Sequence, residues 1–194
     1  EIKLVRKKLN WDFEPFEIPS DLLESWRSFH LRNSKIKQNW NEKNVSTIKS
    51  EDYKKYFLNL EDKKMSKDIE QFKDYHFKEK TNCATRKASE LSLNIFSSHK
   101  ENLLGGSADL TGSNNTKARD MKVISANEFS GSYIHYGIRE HGMAGIMNGI
   151  GLHGGLKPYG GTFLVFSDYC RPSIRLSALM NIPIIYVMTH DSIG

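Results

Sequence analysis

Apolar positions in the last 114 residues follow two rhythms that imply alternating helices and strands. Met143, Ile146, Met147 and Ile150 recur at the period of a helix with one buried stripe, which predicts a helix beginning at Glu140. Glu140 then sits in the first turn, where the positive end of the helix dipole favours a carboxylate. A helix is also predicted over 85–99, with Leu91, Ile95 and Phe96 inward, and another over 165–180. Short apolar runs near 103–106, 133–135 and 158–163 read as strands. So does PIIYVMT, whose β-branched residues and bounding Pro183 favour strand over helix. Pro172 falls inside the last helix and predicts either a kink or a second segment that starts there. Strands separated by helices imply an α/β fold with a mostly parallel sheet flanked by helices.

The first 80 residues are built differently. They hold 33 charged residues and no glycine, whereas residues 81–194 hold 18 charged residues and all 14 glycines, which predicts a domain boundary near residue 80. An extended piece, LNWDFEPFEIPS, is punctuated by Pro15 and Pro19, each disfavouring helix just before it. Ser20 is the expected N-cap of a helix carrying Leu22, Leu23 and Trp26, and further helices are expected over 33–48, from 50 to about 60, and over 67–79. Their few apolar anchors suit helices that cover another surface, so this part reads as a helical linker.

A chain of 194 residues can bury a sizeable core, and no apolar run approaches the roughly 20 residues of a membrane span. The charged opening EIKLVRKKLN has no signal-peptide character, and no membrane partner is expected. Cys83 and Cys170 show no metal-ligand spacing and read as free structural thiols in a reducing, cytoplasmic setting. The net charge of +5 is spread over interleaved signs without a basic stripe, which argues against nucleic acid as a partner.

In open parallel sheets, ligands gather at the carboxyl ends of the strands. Here those ends carry GGSADLTGSN, HYGIRE, GGTF and THDSIG, which set small residues beside Asp109, Ser113, Glu140, Thr162, His190 and Asp191. One glycine pair is weak support for a phosphate loop; four clusters on one rim are stronger. Phe163, Phe166 and Tyr169, spaced i, i+3 and i+6, read on spacing alone as a core stripe.

GGSADLTGSN, YIHYGIREHGMAGIMNGI, KPYGGTFLVFSDY and THDSIG, together with ATRKAS at 84–89, resemble successive signatures of the transketolases, thiamine diphosphate enzymes of the pentose phosphate pathway. The resemblance covers 84–194 closely, with LNWDFEPFEIP similar to the end of the family's diphosphate-binding domain. It implies that 1–80 is the end of a preceding domain plus a linker, and that 81–194 is most of the pyrimidine-binding domain, incomplete at its C-terminal side. No GDG with a following Asn, the family's metal and diphosphate motif, occurs in the sequence. The segment alone is therefore expected to be inactive, with Mg2+ (or Ca2+) and the diphosphate held mainly elsewhere. The implied assembly is a homodimer with its active site at the subunit interface.

Position by position, Glu140 matches the catalytic glutamate that shares a proton with N1′ of the aminopyrimidine, which promotes formation of the cofactor ylide. Phe163, Phe166 and Tyr169 match aromatics that pack on that ring, and Asp109 resembles an acid reaching the cofactor across the dimer, although an Asx-turn explains Asp109 equally well. Arg86, Ser113 and His190 match contacts to the phosphate of a sugar phosphate substrate; Gly112 departs from the proline of some members. His135, His141 and His153 read as structural, and no metal ligand is assigned. The expected reaction is transfer of a two-carbon ketol unit from a ketose phosphate to an aldose phosphate. Two other thiamine diphosphate transferases, 1-deoxyxylulose-5-phosphate synthase and dihydroxyacetone synthase, remain alternatives. A non-catalytic dimerisation module that retains this domain is a third.

Overall fold

A computed structural model describes residues 1–58 and 63–191, apart from the side chain of Arg32. Its contacts divide the chain into two compact units, Glu1–Glu51 and Asp52–Gly194.

The first unit contains α1 (Ile2–Lys8), a helix the sequence reading did not expect, and α2 (Ser20–Lys49). The helix expected from Ser20 and that expected over 33–48 are one 30-residue element, because no glycine or proline interrupts it. Ser20 is its first helical residue, with Pro19 at the cap position and no side-chain cap. Among the described side chains of this unit none is buried.

The second unit holds the sheet. Helix α3 (Glu51–Phe57) leads into it; the expected helix from 50 to about 60 runs onto residues outside the described ones. Helices α4 (Lys63–Lys78) and α5 (Thr85–His99) follow, joined where His99 Nε2 meets Asp68 Oδ2 at 2.9 Å. Phe57 packs on Gly154 and Gly155, both at positive φ, and Asn102 Nδ2 donates to the carbonyls of Tyr56 and Gly155. A side chain at Gly155 would both strain that backbone and collide with the Phe57 ring.

Strands β1 (Leu103–Ser107), β2 (Tyr133–His135), β3 (Lys157–Phe163) and β4 (Ile185–Thr189) form one all-parallel sheet in the order β2-β1-β3-β4. The short helix α6 (Thr111–Asn114) follows β1. Helix α7 (Glu140–His153) packs on β3 and on α8 (Ser167–Leu179), which is entered through a 3₁₀ turn, Leu164–Phe166. Alternation along the strands sends Leu103, Tyr133 and Tyr159 to the face where Leu93 of α5 packs. The opposite face packs Ala108 and Tyr136 with Met143 and Met147 of α7.

Two local expectations change. Ile146, expected in the buried stripe of α7, is 50% exposed, and the buried positions are Glu140, Met143, Ala144, Met147 and Asn148. The break expected at Pro172 lies earlier, at the 3₁₀ turn, and Pro172 sits within a continuous α8, where its ring nitrogen cannot donate to the carbonyl of Asp168.

Candidate active site at the carboxyl ends of the strands

The rim begins with the turn after β1. Ser107, fully buried, donates to the carbonyl of Gly161 at 3.0 Å and accepts from the amide of Leu110 at 3.2 Å. The turn is thus closed by Ser107, and Asp109 is placed at φ +61 with no hydrogen-bond partner among the described residues. The Asx-turn explanation of Asp109 finds no such bond. Asn114 of α6 donates to Thr189 Oγ1 at the end of β4, which holds α6 over the rim and leaves the neighbouring Ser113 exposed.

Glu140 opens α7 and is buried, 7% exposed. Arg139 stands at the cap position and makes no side-chain cap, and the Glu140 carboxylate has neither hydrogen-bond nor ion-pair partner among the described residues. It lines a cavity of about 690 Å³ together with Asp109, Ile138, His141, Phe166 and Tyr169. Cys170 is buried near this carboxylate: burial first, and the Glu140 charge in addition, push its thiol pKa up, which keeps it protonated and unreactive.

Phe163, Phe166 and Tyr169 form a row of rings. Phe163 ends β3 and stacks on Phe166 of the 3₁₀ turn with centroids 5.8 Å apart; Phe166 meets Tyr169 of α8 at 5.8 Å. Three residues per 3₁₀ turn bring i and i+3 side chains into line, which is why these rings do not scatter. They are half-buried or exposed, so the core reading of the stripe fails. Phe163 also meets the His190 imidazole edge-on at 5.1 Å, and the Arg86 guanidinium at the start of α5 donates to His190 Nε2 at 2.5 Å. Arg86 and His190, 104 residues apart, are therefore in contact. No hydrogen bond joins Ser113 to either among the described residues, but its helix is tied to the strand end next to His190.

Thr162 Oγ1 is the one buried side-chain oxygen or nitrogen without a partner among the described residues. Thr162 lies two residues beyond Gly160, on the face of β3 that Met143 and Met147 cover. Asp191 closes the loop beyond β3 by accepting from the amide of Val165 at 2.8 Å. The remaining residues of THDSIG, 192–194, lie outside the described ones. Among the described residues no group of three or more His, Cys, Asp or Glu side chains is placed to hold a metal ion, and no helix is long and apolar enough to cross a membrane.

The family profile described as transketolase, pyrimidine binding domain, matches residues 81–194, and that of the transketolase thiamine diphosphate binding domain matches residues 1–76. The chain belongs to the transketolase family. A transketolase of Cereibacter sphaeroides is 49% identical over 197 residues, covering 100% of this chain and 29% of its own length. One from Buchnera aphidicola is 44% identical over 201 residues, covering 100% of this chain and 30% of its own. Among solved structures, the Pichia stipitis transketolase in complex with sedoheptulose 7-phosphate superposes with a TM-score of 0.73 at 34% identity, over 96% of this chain and 29% of that one. The transketolase of Leishmania mexicana gives 0.74 at 30% identity, over 98% of this chain and 28% of that one. The chain spans about three tenths of the length of these relatives.

Within this transketolase-family domain, sequence reasoning overlooked Ser107, Asn114 and His141. Ser107 and Asn114 stood inside GGSADLTGSN, but their tasks depend on Gly161 and Thr189, which no local spacing signals. His141, which reads as structural in the sequence, lines the cavity beside Glu140.

Proposed function

We propose that the segment supplies the pyrimidine side of a transketolase active site, in an enzyme that moves a two-carbon ketol unit from a ketose phosphate to an aldose phosphate in the pentose phosphate pathway. The observation that carries this reading is Glu140, a residue more than nine-tenths buried whose carboxylate opens only on a cavity lined by Phe166 and Tyr169 and has no protein partner among the described residues. Burying a charge unpaired is costly, so such a group implies a partner that arrives with a ligand. An aminopyrimidine fits, since its ring nitrogen can share a proton with the carboxyl while its flat face meets Phe166 and Tyr169. When bound, thiamine diphosphate supplies the nucleophilic carbon that carries the two-carbon unit.

In this reading Glu140 holds and returns a proton at its carboxyl, and Phe163, Phe166 and Tyr169 exclude water. Asp109, at the cavity and also without a partner among the described residues, is a second polar contact to the cofactor. Arg86, His190 and Ser113 bind the terminal phosphate of the sugar. One guanidinium N–H is used on His190, which leaves the other four for phosphate oxygens. The Pichia stipitis relative binds a sugar phosphate of this class.

The Mg2+ or Ca2+ ion and the diphosphate are assigned to residues outside this segment, because the sequence has no GDG motif. A homodimer is supported by the apolar side chains Ile138, Val165 and Tyr169, which stand exposed beside the site. The unpaired thiols Cys83 and Cys170 favour a cytoplasmic location. We place the functional division near residue 80, with 1–80 as the end of a preceding domain and linker.

The test is Glu140→Gln in the full-length enzyme. Ketol transfer is expected to fall about 10²- to 10⁴-fold while thiamine diphosphate affinity changes much less. Normal turnover would return Glu140 to a carboxylate that merely starts a helix.

A further inference from the structure

The geometry points to a positioning device for Glu140: a hydrogen-bonded seam between α7 and α8, ending in His141 and Ser173, that sets the direction of the Glu140 carboxylate. The inference rests on the functional reading above.

The seam is a chain of polar contacts in an interior place. Ser177 Oγ, 2.9 Å from the Tyr186 hydroxyl, donates to Asn148 Oδ1 at 2.5 Å; Asn148 Nδ2 donates to the carbonyl of Ser173 at 2.9 Å; and Ser173 Oγ lies 3.0 Å from His141 Nδ1. Asn148, Ser173 and Ser177 are each more than nine-tenths buried. His141 and Asn148 are seven residues apart on one side of α7, and Ser173 and Ser177 are four apart on one side of α8. Between them the helices run close at Gly145, where a Cβ would stand in ordinary van der Waals contact with Ser173 Oγ at 4.0 Å.

Apolar side chains of similar volume would join two helices at no cost in buried polar groups, but they would hold them in no single rotation or register. A chain of directional bonds specifies one. That matters at the start of α7, where the helix has no side-chain cap, the Arg139 guanidinium ties only to the carbonyl of Tyr136 at 3.0 Å, and Glu140 has no partner of its own among the described residues. His141 is the next residue, so bonding its ring to α8 fixes the turn that aims Glu140 into the cavity.

The test uses the full-length enzyme with thiamine diphosphate. Ser173→Ala removes Oγ and keeps the carbonyl that Asn148 uses. The first readout, independent of activity, is amide hydrogen exchange in the absence of cofactor. Exchange is expected to rise about threefold or more across 139–147 and to stay unchanged in 103–107. The second is deuterium exchange of the C2 proton of bound cofactor, expected to slow about three- to tenfold at saturating cofactor. A Ser173→Ala/His141→Phe double variant is expected to lose no more than His141→Phe alone, because both remove one bond. If Ser173→Ala does not fold, His141→Asn, which keeps an acceptor near Nδ1, should retain wild-type C2 exchange where His141→Phe does not; equal rates in the two would overturn the proposal. Unchanged amide exchange in Ser173→Ala overturns it. So does normal C2 exchange in Ser173→Ala when Glu140→Gln slows it. Normal C2 exchange in Glu140→Gln removes the functional reading, and this inference with it.

Discussion

On one face of the sheet Tyr133 and Tyr159 are buried with their hydroxyls bonded; on the other Met143 and Met147 fill the space, the one buried hydroxyl without a protein partner among the described residues is that of Thr162, and the Tyr136 hydroxyl also has no bond there. Tyr159 donates to the carbonyl of Thr116 at 2.6 Å and Tyr133 lies 2.8 Å from Thr116 Oγ1, so the first face uses aromatic phenols to pin the long loop after α6. The second face has one such tie, Tyr186 to Ser177 at 2.9 Å: its methionines adapt to the strand, and its other polar groups are collected at the α7–α8 seam and at Glu140. Rigid packing and satisfied hydroxyls suit a face that only has to hold. Soft packing capped by an unpartnered carboxylate suits a face that has to receive a ligand.

The largest expected effect tests whether the soft face nevertheless carries the fold. Met143 is fully buried, whereas Ile146, three residues on, is half exposed. Met143→Ala is expected to destabilise by about 2–5 kcal/mol, and Ile146→Ala by under about 1 kcal/mol. Denaturant unfolding of the full-length protein checks both, and equal losses would contradict the observed rotation of α7.

That rotation marks the limit of what the sequence disclosed. The period from Met143 to Ile150 located the helix and its start at Glu140, but a stripe does not say how wide the buried arc is. The partner decided this: α8 meets α7 on the side of Gly145 and Asn148, which turns Ile146 outward. The strands were legible because β-branched and apolar runs are short and bounded. The place of β4 at the end of the described sheet was not, since an apolar run marks a strand without naming its neighbours. The same holds at the rim. Motifs named Arg86, Glu140 and His190, but the contact of Arg86 with His190, and that of Asn114 with Thr189 across 75 residues, belong to the fold alone.

Glycines separate the faces more sharply. A Cβ on Gly105 would stand 2.2 Å from the Tyr159 ring, whose hydroxyl is held in place, whereas a Cβ on Gly160 would meet the sulfurs of Met147 and Met143 at 2.5 and 2.8 Å. Gly105→Ala is expected to cost about 3 kcal/mol and Gly160→Ala about 1 kcal/mol, because thioether chains can move aside and a pinned phenol cannot. Unfolding midpoints measured side by side decide it. A larger loss at Gly160 would mean that the methionine face is the more tightly packed.

The holding face touches the site at one point, where α5 begins with Arg86. Arg86→Ala in the full-length enzyme is expected to raise KM for phosphorylated sugars about tenfold or more, the loss of a charge-assisted contact of roughly 1.5–3 kcal/mol. An unphosphorylated ketose should be affected far less. Equal losses with both substrates would leave Arg86 a structural partner of His190 and confine the site to the α7 face.

The smallest effect is read at alkaline pH. Burial first, and Tyr133 in addition, push Tyr136 up to about 12 from its ordinary value of 10. A phenol whose folded pKa is raised binds its proton more tightly in the folded state, so its contribution is complete below pH 10 and is lost as pH rises from 10 towards 12. Linkage gives a loss of about 0.8 kcal/mol at pH 10.5 from this one group. Burial raises Tyr133 and Tyr159 as well, so the wild-type protein should weaken through the same window on account of both faces. Burial raises Tyr186 on the α7 face too, so Tyr136→Phe removes one part of that face's contribution: it takes away a hydroxyl that bonds to nothing in the described protein, and it should flatten the pH dependence without lowering stability at pH 7. Tyr159→Phe breaks the bond to Thr116 and should lower stability at pH 7 by about 1 kcal/mol. Denaturant midpoints at pH 7 and 10.5 for the two variants measure the contrast directly. If Tyr136→Phe were the more destabilising at neutral pH, its hydroxyl would have to hold a partner, and the distinction between a face of satisfied phenols and a face left open would fail.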